Sequence, residues 1–253
     1  MALLELHCIS KRFGRVSALA GVSFAVERGE LLAVIGPNGA GKSTIFNAIT
    51  GIYAPDAGSI EFDGARIDGR PTYQIAVAGI ARTFQNVRLF TFMPAIDNVM
   101  AGEHARLRSN LFASLLHVPG ERREEARARE RARELLAFVG LERVRNVEAG
   151  SLDYGSQRRL EIARALASRP QLLLLDEPAA GMNPREKASL RDLLQAIRAR
   201  GVTQMLVEHD MSLVMSASER IVVLDRGEKI AQGPPAQIRA DRRVIEAYLG
   251  AGA

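Results

Sequence analysis

Gly36-Pro37-Asn38-Gly39-Ala40-Gly41-Lys42-Ser43-Thr44 follows directly on the apolar run Leu31-Leu32-Ala33-Val34-Ile35. The run reads as a buried strand. Glycines placed this way let successive backbone N–H groups turn inward around phosphate oxygens, and a helix starting near Lys42 aims the positive end of its dipole at the same point. Lys42 is then expected to reach the β- and γ-phosphates, with the Ser43 hydroxyl ligating Mg²⁺. The predicted ligand is a nucleoside triphosphate, and the competing reading is a plain glycine turn between strand and helix.

A second feature lies far downstream, where Leu172-Leu173-Leu174-Leu175 ends on Asp176-Glu177-Pro178. Strand ends are where α/β proteins place their chemistry. Asp176 suits Mg²⁺, held through water, and Glu177 suits the polarisation of an attacking water. Similar short apolar runs recur at Met205–Val207 and Ile221–Leu224 with helical stretches between, the rhythm of an α/β core. The opening part differs. Leu4, Leu6 and Cys8 alternate, as do Val22, Phe24 and Val26, and Ile60 and Phe62 follow, so an antiparallel β layer is expected beside that core.

Between about Val87 and Gly150 the strand signals vanish and a mostly helical segment is expected. Its stretch Glu121–Glu134 holds six arginines and five glutamates, with Glu125 and Arg129 spaced for an ion pair on a solvated face. Gly233-Pro234-Pro235 marks a turn before a final helix expected over about Ala236–Leu249.

The 253 residues are 47% hydrophobic, enough for a sizeable core. The net charge is +5, but the basic residues are spread along the chain among acids, so nucleic acid is not an expected partner. Of 34 basic residues only four are lysines, which makes one at the phosphate loop more telling. The single cysteine, Cys8, excludes an internal disulfide and argues against a cysteine-based metal site. No run approaches the ~18 apolar residues that cross a bilayer, and Met1–Ser10 carries Glu5 and His7 where a secretory signal is apolar. The expected place is the cytoplasm, unless a membrane partner holds the chain.

With the phosphate loop and Asp176-Glu177 in place, the chain resembles the ATP-binding subunits of ABC transporters over nearly its whole length. The resemblance implies a P-loop NTPase core of the RecA-like α/β type with an antiparallel β layer and a helical subdomain. The core would take 1–86 and 160–253, and the helical part about 87–159. It also implies roles for further residues. Phe13, with Val16 beside it, looks like the aromatic that stacks on adenine. Gln85, in Ala81-Arg82-Thr83-Phe84-Gln85-Asn86, is similar to the glutamine that touches Mg²⁺ and the lytic water and senses the transmembrane partner. His209 resembles the switch histidine at the γ-phosphate.

Leu152-Asp153-Tyr154-Gly155-Ser156-Gln157, followed by Arg158-Arg159, resembles the family signature, which caps the γ-phosphate bound to the opposite subunit. Asp153 stands where serine is usual, Tyr154 replaces a glycine and Ser156 a glutamine. Asp153 is expected to turn back and cap the following helix. Ala180-Gly181-Met182-Asn183 occupies the place of the loop that meets its counterpart across the dimer, with Asn183 where aspartate is commoner.

Within the family, the stretch Ala81–Phe90, the helical enlargement, Tyr154-Gly155, Val207-Glu208-His209-Asp210-Met211 and the ending Ala247-Tyr248-Leu249-Gly250 look like the larger of two ATPase subunits in branched-chain amino-acid uptake. That implies transmembrane permease subunits, a second ATPase subunit, and an external binding protein that delivers leucine, isoleucine or valine. The place implied is peripheral, on the cytoplasmic face of the membrane. The ATPase of lipopolysaccharide export, a soluble ABC-type repair or translation ATPase, and a regulatory module that does not hydrolyse ATP remain open beside it.

Overall fold

The computed structural model describes residues 1–103 and 119–249; residues 104–118 of the expected helical segment, and Gly250 at the end of the quoted C-terminus, lie outside the described residues. The chain divides into two compact units, Met1–Arg82 with Gln171–Ala253, and Thr83–Pro170.

The first unit holds both sheets. Strands β1 (Ala2–Phe13), β2 (Val16–Glu27), β4 (Ala57–Phe62) and β5 (Ala65–Arg66) form an antiparallel sheet in the order β2-β1-β4-β5. Strands β3 (Leu31–Ile35), β6 (Ile80–Arg82), β7 (Leu172–Asp176), β8 (Thr203–Val207), β9 (Arg220–Asp225) and β10 (Glu228–Gly233) form the second, in the order β10-β9-β3-β8-β7-β6. Only the β9–β10 pair in it is antiparallel. Every residue of β3, β7 and β8 is buried, because a parallel strand is covered on both faces; this is why Leu31–Ile35, Leu172–Leu175 and Met205–Val207 are unbroken apolar runs and not alternating.

Leu32 and Val34 of β3 share one core with Phe46 and Ile49 of helix α1 (Lys42–Ile49) and with Leu4, Leu6 and Ile9 of β1. Burying each such side chain contributes about 1.5–3 kcal/mol. The alternation in β1 stops one residue short of the expectation. A register shift between Leu6 and Ile9 puts Ile9 inward and leaves Cys8 exposed at φ 49°, its N–H donating to Ser23 Oγ at 2.7 Å. A bulge adds a residue to one strand, and every later side chain changes face.

Helix α2 (Thr72–Ala78) precedes β6. In the second unit, α3 (Ala95–Glu103) packs on α4 (Pro119–Phe138) and on α5 (Tyr154–Ala167). Gly102 permits the close approach, since a Cβ there would lie 2.1 Å from Arg164 O of α5. Arg131 grips Glu103 with two bonds, Nε–Oε1 2.7 Å and Nη2–Oε2 2.6 Å, and Arg133 pairs with Glu130 along the α4 surface. Helix α5 runs unbroken past residue 160 and belongs wholly to this unit.

Back in the first unit, α6 (Pro184–Ala199) begins in a capping box: Asn183 accepts from the N–H groups of Arg185 and Glu186, and Glu186 accepts from the Asn183 N–H. After α7 (Met211–Ala217), the expected last helix is two: α8 (Pro235–Ala240) and α9 (Arg242–Leu249). Asp241 divides them. Its extended backbone ends α8, and its carboxylate accepts from the Arg243 N–H at 2.9 Å, which starts a new helix.

Candidate nucleotide site

Strand β3 delivers the phosphate loop to the N-terminus of α1. Gly36 allows this passage because a Cβ at its φ of 153° would sit 2.1 Å from Leu224 O, and Gly41 because one at φ 103° would sit 2.6 Å from Ala18 O. Pro37, Asn38 and Gly39 form the tip, which Ala40 closes by donating to Pro37 O at 3.1 Å. No side chain caps α1, and its first turn carries no acidic residue, so its leading N–H groups and positive dipole end are left for an anion. Lys42 folds back over the loop, its ammonium donating to Gly36 O at 2.6 Å and Pro37 O at 2.9 Å. Burial pushes its pKa below the ordinary lysine value, while the charges of Glu177 and Asp176 pull the other way. Ser43 and Thr44 follow in the first turn, with Ser43 exposed.

Asp176 ends β7 and is buried. Arg82, the last residue of the adjacent β6, donates to its Oδ2 at 2.8 Å, and the same guanidinium donates to Asn47 Oδ1 and Thr50 Oγ1 near the end of α1. Sequence reasoning quoted Arg82 only as part of a longer stretch. The available signal was an arginine closing one strand beside a strand closed by an aspartate.

Glu177 follows at φ 47°, its N–H donating to Val207 O at 2.8 Å. A non-glycine residue in this region costs on the order of 1–3 kcal/mol and marks a constrained position. Its Oε2 lies 3.9 Å from Nδ1 of the exposed His209. Glu208, which sequence reasoning passed over, is buried and accepts the N–H groups of Ala179 at 3.0 Å and His209 at 2.8 Å. It ties the turn after Glu177 to the histidine. Burial raises its pKa against those two bonds. Asp210 caps α7 through Ser212 and Leu213 and pairs with Lys187, which together lower its pKa.

The first unit therefore brings together the phosphate loop, Asp176, Glu177 and His209. Among the described residues no three His, Cys, Asp or Glu side chains cluster as a metal cage. The donors present, one hydroxyl on Ser43 and one carboxylate on Asp176, are hard oxygens. They fit Mg²⁺, which is held through one or two carboxylates together with phosphates and water.

Phe13 and Val16 face each other across the β1–β2 turn and are both exposed. The Phe13 ring is fixed edge-on to Tyr53, with centroids 5.2 Å apart at 73°. Lys11, bonded to Asp56 and Ala54 O, sits 5.7 Å from the same ring.

Gln85 and the signature stretch belong to the second unit. Gln85 is exposed, as are Asp153 and Tyr154, whereas Leu152 and Gly155 are buried. Asp153 caps α5: it accepts from the Ser156 N–H at 2.9 Å and its hydroxyl at 2.7 Å, and these bonds hold its pKa below the ordinary value. Gln157 Nε2 donates to Leu152 O at 2.9 Å.

A family model described as ABC transporter matches residues 19–180, and one described as branched-chain amino acid ATP-binding cassette transporter matches residues 228–253. The high-affinity branched-chain amino acid transport ATP-binding protein BraF of Pseudomonas aeruginosa is 48% identical over 98% of both chains. Among solved structures, an ATP-binding cassette of an ABC transporter in its ADP conformation is similar at a TM-score of 0.86 and 30% identity, covering 99% of both chains. A dimeric ATP-binding cassette bound to ADP and Pi is similar at 0.77 and 27%, covering 92% of this chain and 98% of the other.

Proposed function

Because this chain belongs to the ATP-binding proteins of ABC transporters, we propose that it is the ATPase subunit of a branched-chain amino-acid uptake system, completing its sites with a second ATPase subunit beneath two membrane permease subunits. The 48% identity to a branched-chain transport ATP-binding protein, together with the C-terminal family match, supports the cargo. No described helix is long and apolar enough to cross a membrane, so attachment to the cytoplasmic face runs through the permease subunits. An external binding protein delivers the amino acid to them.

ATP lays its phosphates along Gly36–Thr44, and Lys42 leaves the Gly36 and Pro37 carbonyls for the β- and γ-phosphate oxygens. Ser43 and Asp176 would hold Mg²⁺, which when bound would neutralise charge on the phosphate oxygens. Glu177 accepts a proton from the attacking water, and His209, beside it, donates to the γ-phosphate. Gln85, by its likeness to the family glutamine, would help to hold the metal and the lytic water. Leu152–Gln157 of one subunit faces the phosphate held by the other. There Gly155 and backbone donors meet it, because the Asp153 charge is engaged by its own helix.

Purification with the neighbouring membrane proteins and reconstitution into vesicles tests the cargo. ATP-dependent accumulation of leucine, lost when this chain is left out, is expected; accumulation of another solute class in its place overturns it.

Phe13 has the exposed ring that adenine stacking needs, and Tyr53 braces it. Phe13→Ala is expected to cost about 1–3 kcal/mol of ATP binding, roughly fivefold to 150-fold, and Phe13→Leu to restore little, since bulk returns without the π-face. Wild-type affinity in both variants, measured by titration calorimetry, places the base elsewhere.

A further inference from the structure

One departure of this signature from its family pattern, Tyr154, is part of a connected structure with two residues of the helix that follows. Tyr154, Arg158 and Glu161 succeed one another at four and three residues, so they share one face of α5. Arg158 is almost wholly buried. Its guanidinium lies 5.2 Å over the Tyr154 ring, and Nε donates to the Tyr154 hydroxyl at 3.1 Å. Its other arms donate to Phe84 O at 2.6 Å and to Gln85 O. Glu161, equally buried and 3.4 Å from Arg158, accepts the N–H groups of Phe84 at 3.3 Å and Arg88 at 3.4 Å.

Four backbone groups of the irregular stretch Phe84–Arg88 are thus held by two side chains one helical turn apart. Taking an ion pair out of water is unfavourable unless its remaining hydrogen-bonding capacity is met, and here backbone groups meet it. An apolar pair of the same size would pack as well but would make none of these hydrogen bonds. We propose that Tyr154, Arg158 and Glu161 are positioning residues, a latch that fixes the Gln85 backbone to the signature end of α5, so that contacts made at Tyr154 set where Gln85 points. The Tyr154 side chain is its exposed end and Gln85 the residue it steers. The proposal rests on the roles given above to Gln85 and to the signature.

Hydrogen exchange on the full chain without nucleotide reads the latch directly. In Arg158→Gln the Phe84 and Arg88 amides are expected to exchange about tenfold faster, a factor equal to about 1.4 kcal/mol, while amides of the phosphate loop keep their rates. ATP affinity without Mg²⁺ stays at the wild-type value, and kcat falls about tenfold at unchanged KM. Tyr154→Phe, which removes only the hydroxyl acceptor, gives a smaller change in the same direction, and Arg158→Lys recovers part of the protection. Should Arg158→Gln fail to fold, Glu161→Leu, which removes the one oxygen that accepts both amides, gives the same comparison. Unchanged exchange at Phe84 and Arg88 in a folded variant overturns the latch. Gln85→Ala separates the two levels: if its kcat is that of the wild type, the role of Gln85 falls, and with it the steering, whereas the exchange result judges the anchoring alone.

Discussion

Glu177→Gln is expected to bind ATP as the unaltered chain does and to hydrolyse it about 10²–10⁴-fold more slowly, the usual worth of a positioned base. Glutamine keeps the length and shape of the side chain, and its N–H still donates to Val207 O, so the left-handed backbone at this position is retained. What disappears is the carboxylate that accepts the proton of the attacking water. Glu208 cannot take its place, because both its oxygens serve the backbone N–H groups of Ala179 and His209 and its side chain is sealed from solvent. With ATP persisting in the site, the variant should collect as a dimer on size-exclusion chromatography with ATP and Mg²⁺. Single-turnover hydrolysis at the wild-type rate puts the base elsewhere and removes the role given to Glu177.

The parts of this molecule that were legible in sequence are those whose signal is local. Leu31–Ile35, Leu172–Leu175 and Met205–Val207 announce themselves as apolar runs because both faces of β3, β7 and β8 are buried, and the phosphate loop announces itself because Gly36 and Gly41 must lie where a Cβ would meet Leu224 O or Ala18 O. Asp153 caps its helix for a reason equally local, a short polar side chain just before the first turn. The misreadings come from one-residue events. The bulge at Cys8 reverses an alternation, and Asp241 diverts one backbone N–H and splits a helix, yet neither disturbs the average pattern around it.

The side chains that organise the site were hidden for a different reason. Arg82 meets Asp176 across 94 residues of chain, and Glu161 meets Phe84 across 77. Spacing along a sequence carries no trace of such pairs, since they arise from strand order and helix packing. Gln85, His209 and the signature came to attention through family resemblance, and residue chemistry alone did not single them out. For Arg158 and Tyr154 the resemblance worked in reverse. It marked Tyr154 as irregular without showing that its hydroxyl accepts from Arg158.

Lys42→Ala is expected to weaken ATP binding by about 10²–10³-fold, inside the range of about 2–5 kcal/mol for removing one partner from a buried charge pair. The ammonium donates to the Gly36 and Pro37 carbonyls, hydrogen bonds that it can exchange for phosphate oxygens at little net cost. The gain on binding is therefore mainly electrostatic: phosphate charge meets a cation that is already desolvated. Lys42→Met keeps the apolar stem and should lose as much affinity as alanine, which separates charge from packing. The depressed pKa of Lys42 adds a second readout. Phosphates beside it stabilise the charged form and raise that pKa, so ATP binding takes up protons increasingly as the pH rises towards the pKa of the free protein. Calorimetry in buffers of different ionisation enthalpy measures this uptake, and Lys42→Ala should abolish the share due to this group. Equal ATP affinities in Lys42→Ala, Lys42→Met and the unaltered chain would mean that the loop holds its anion by backbone N–H groups alone, and the reading of this lysine would fall.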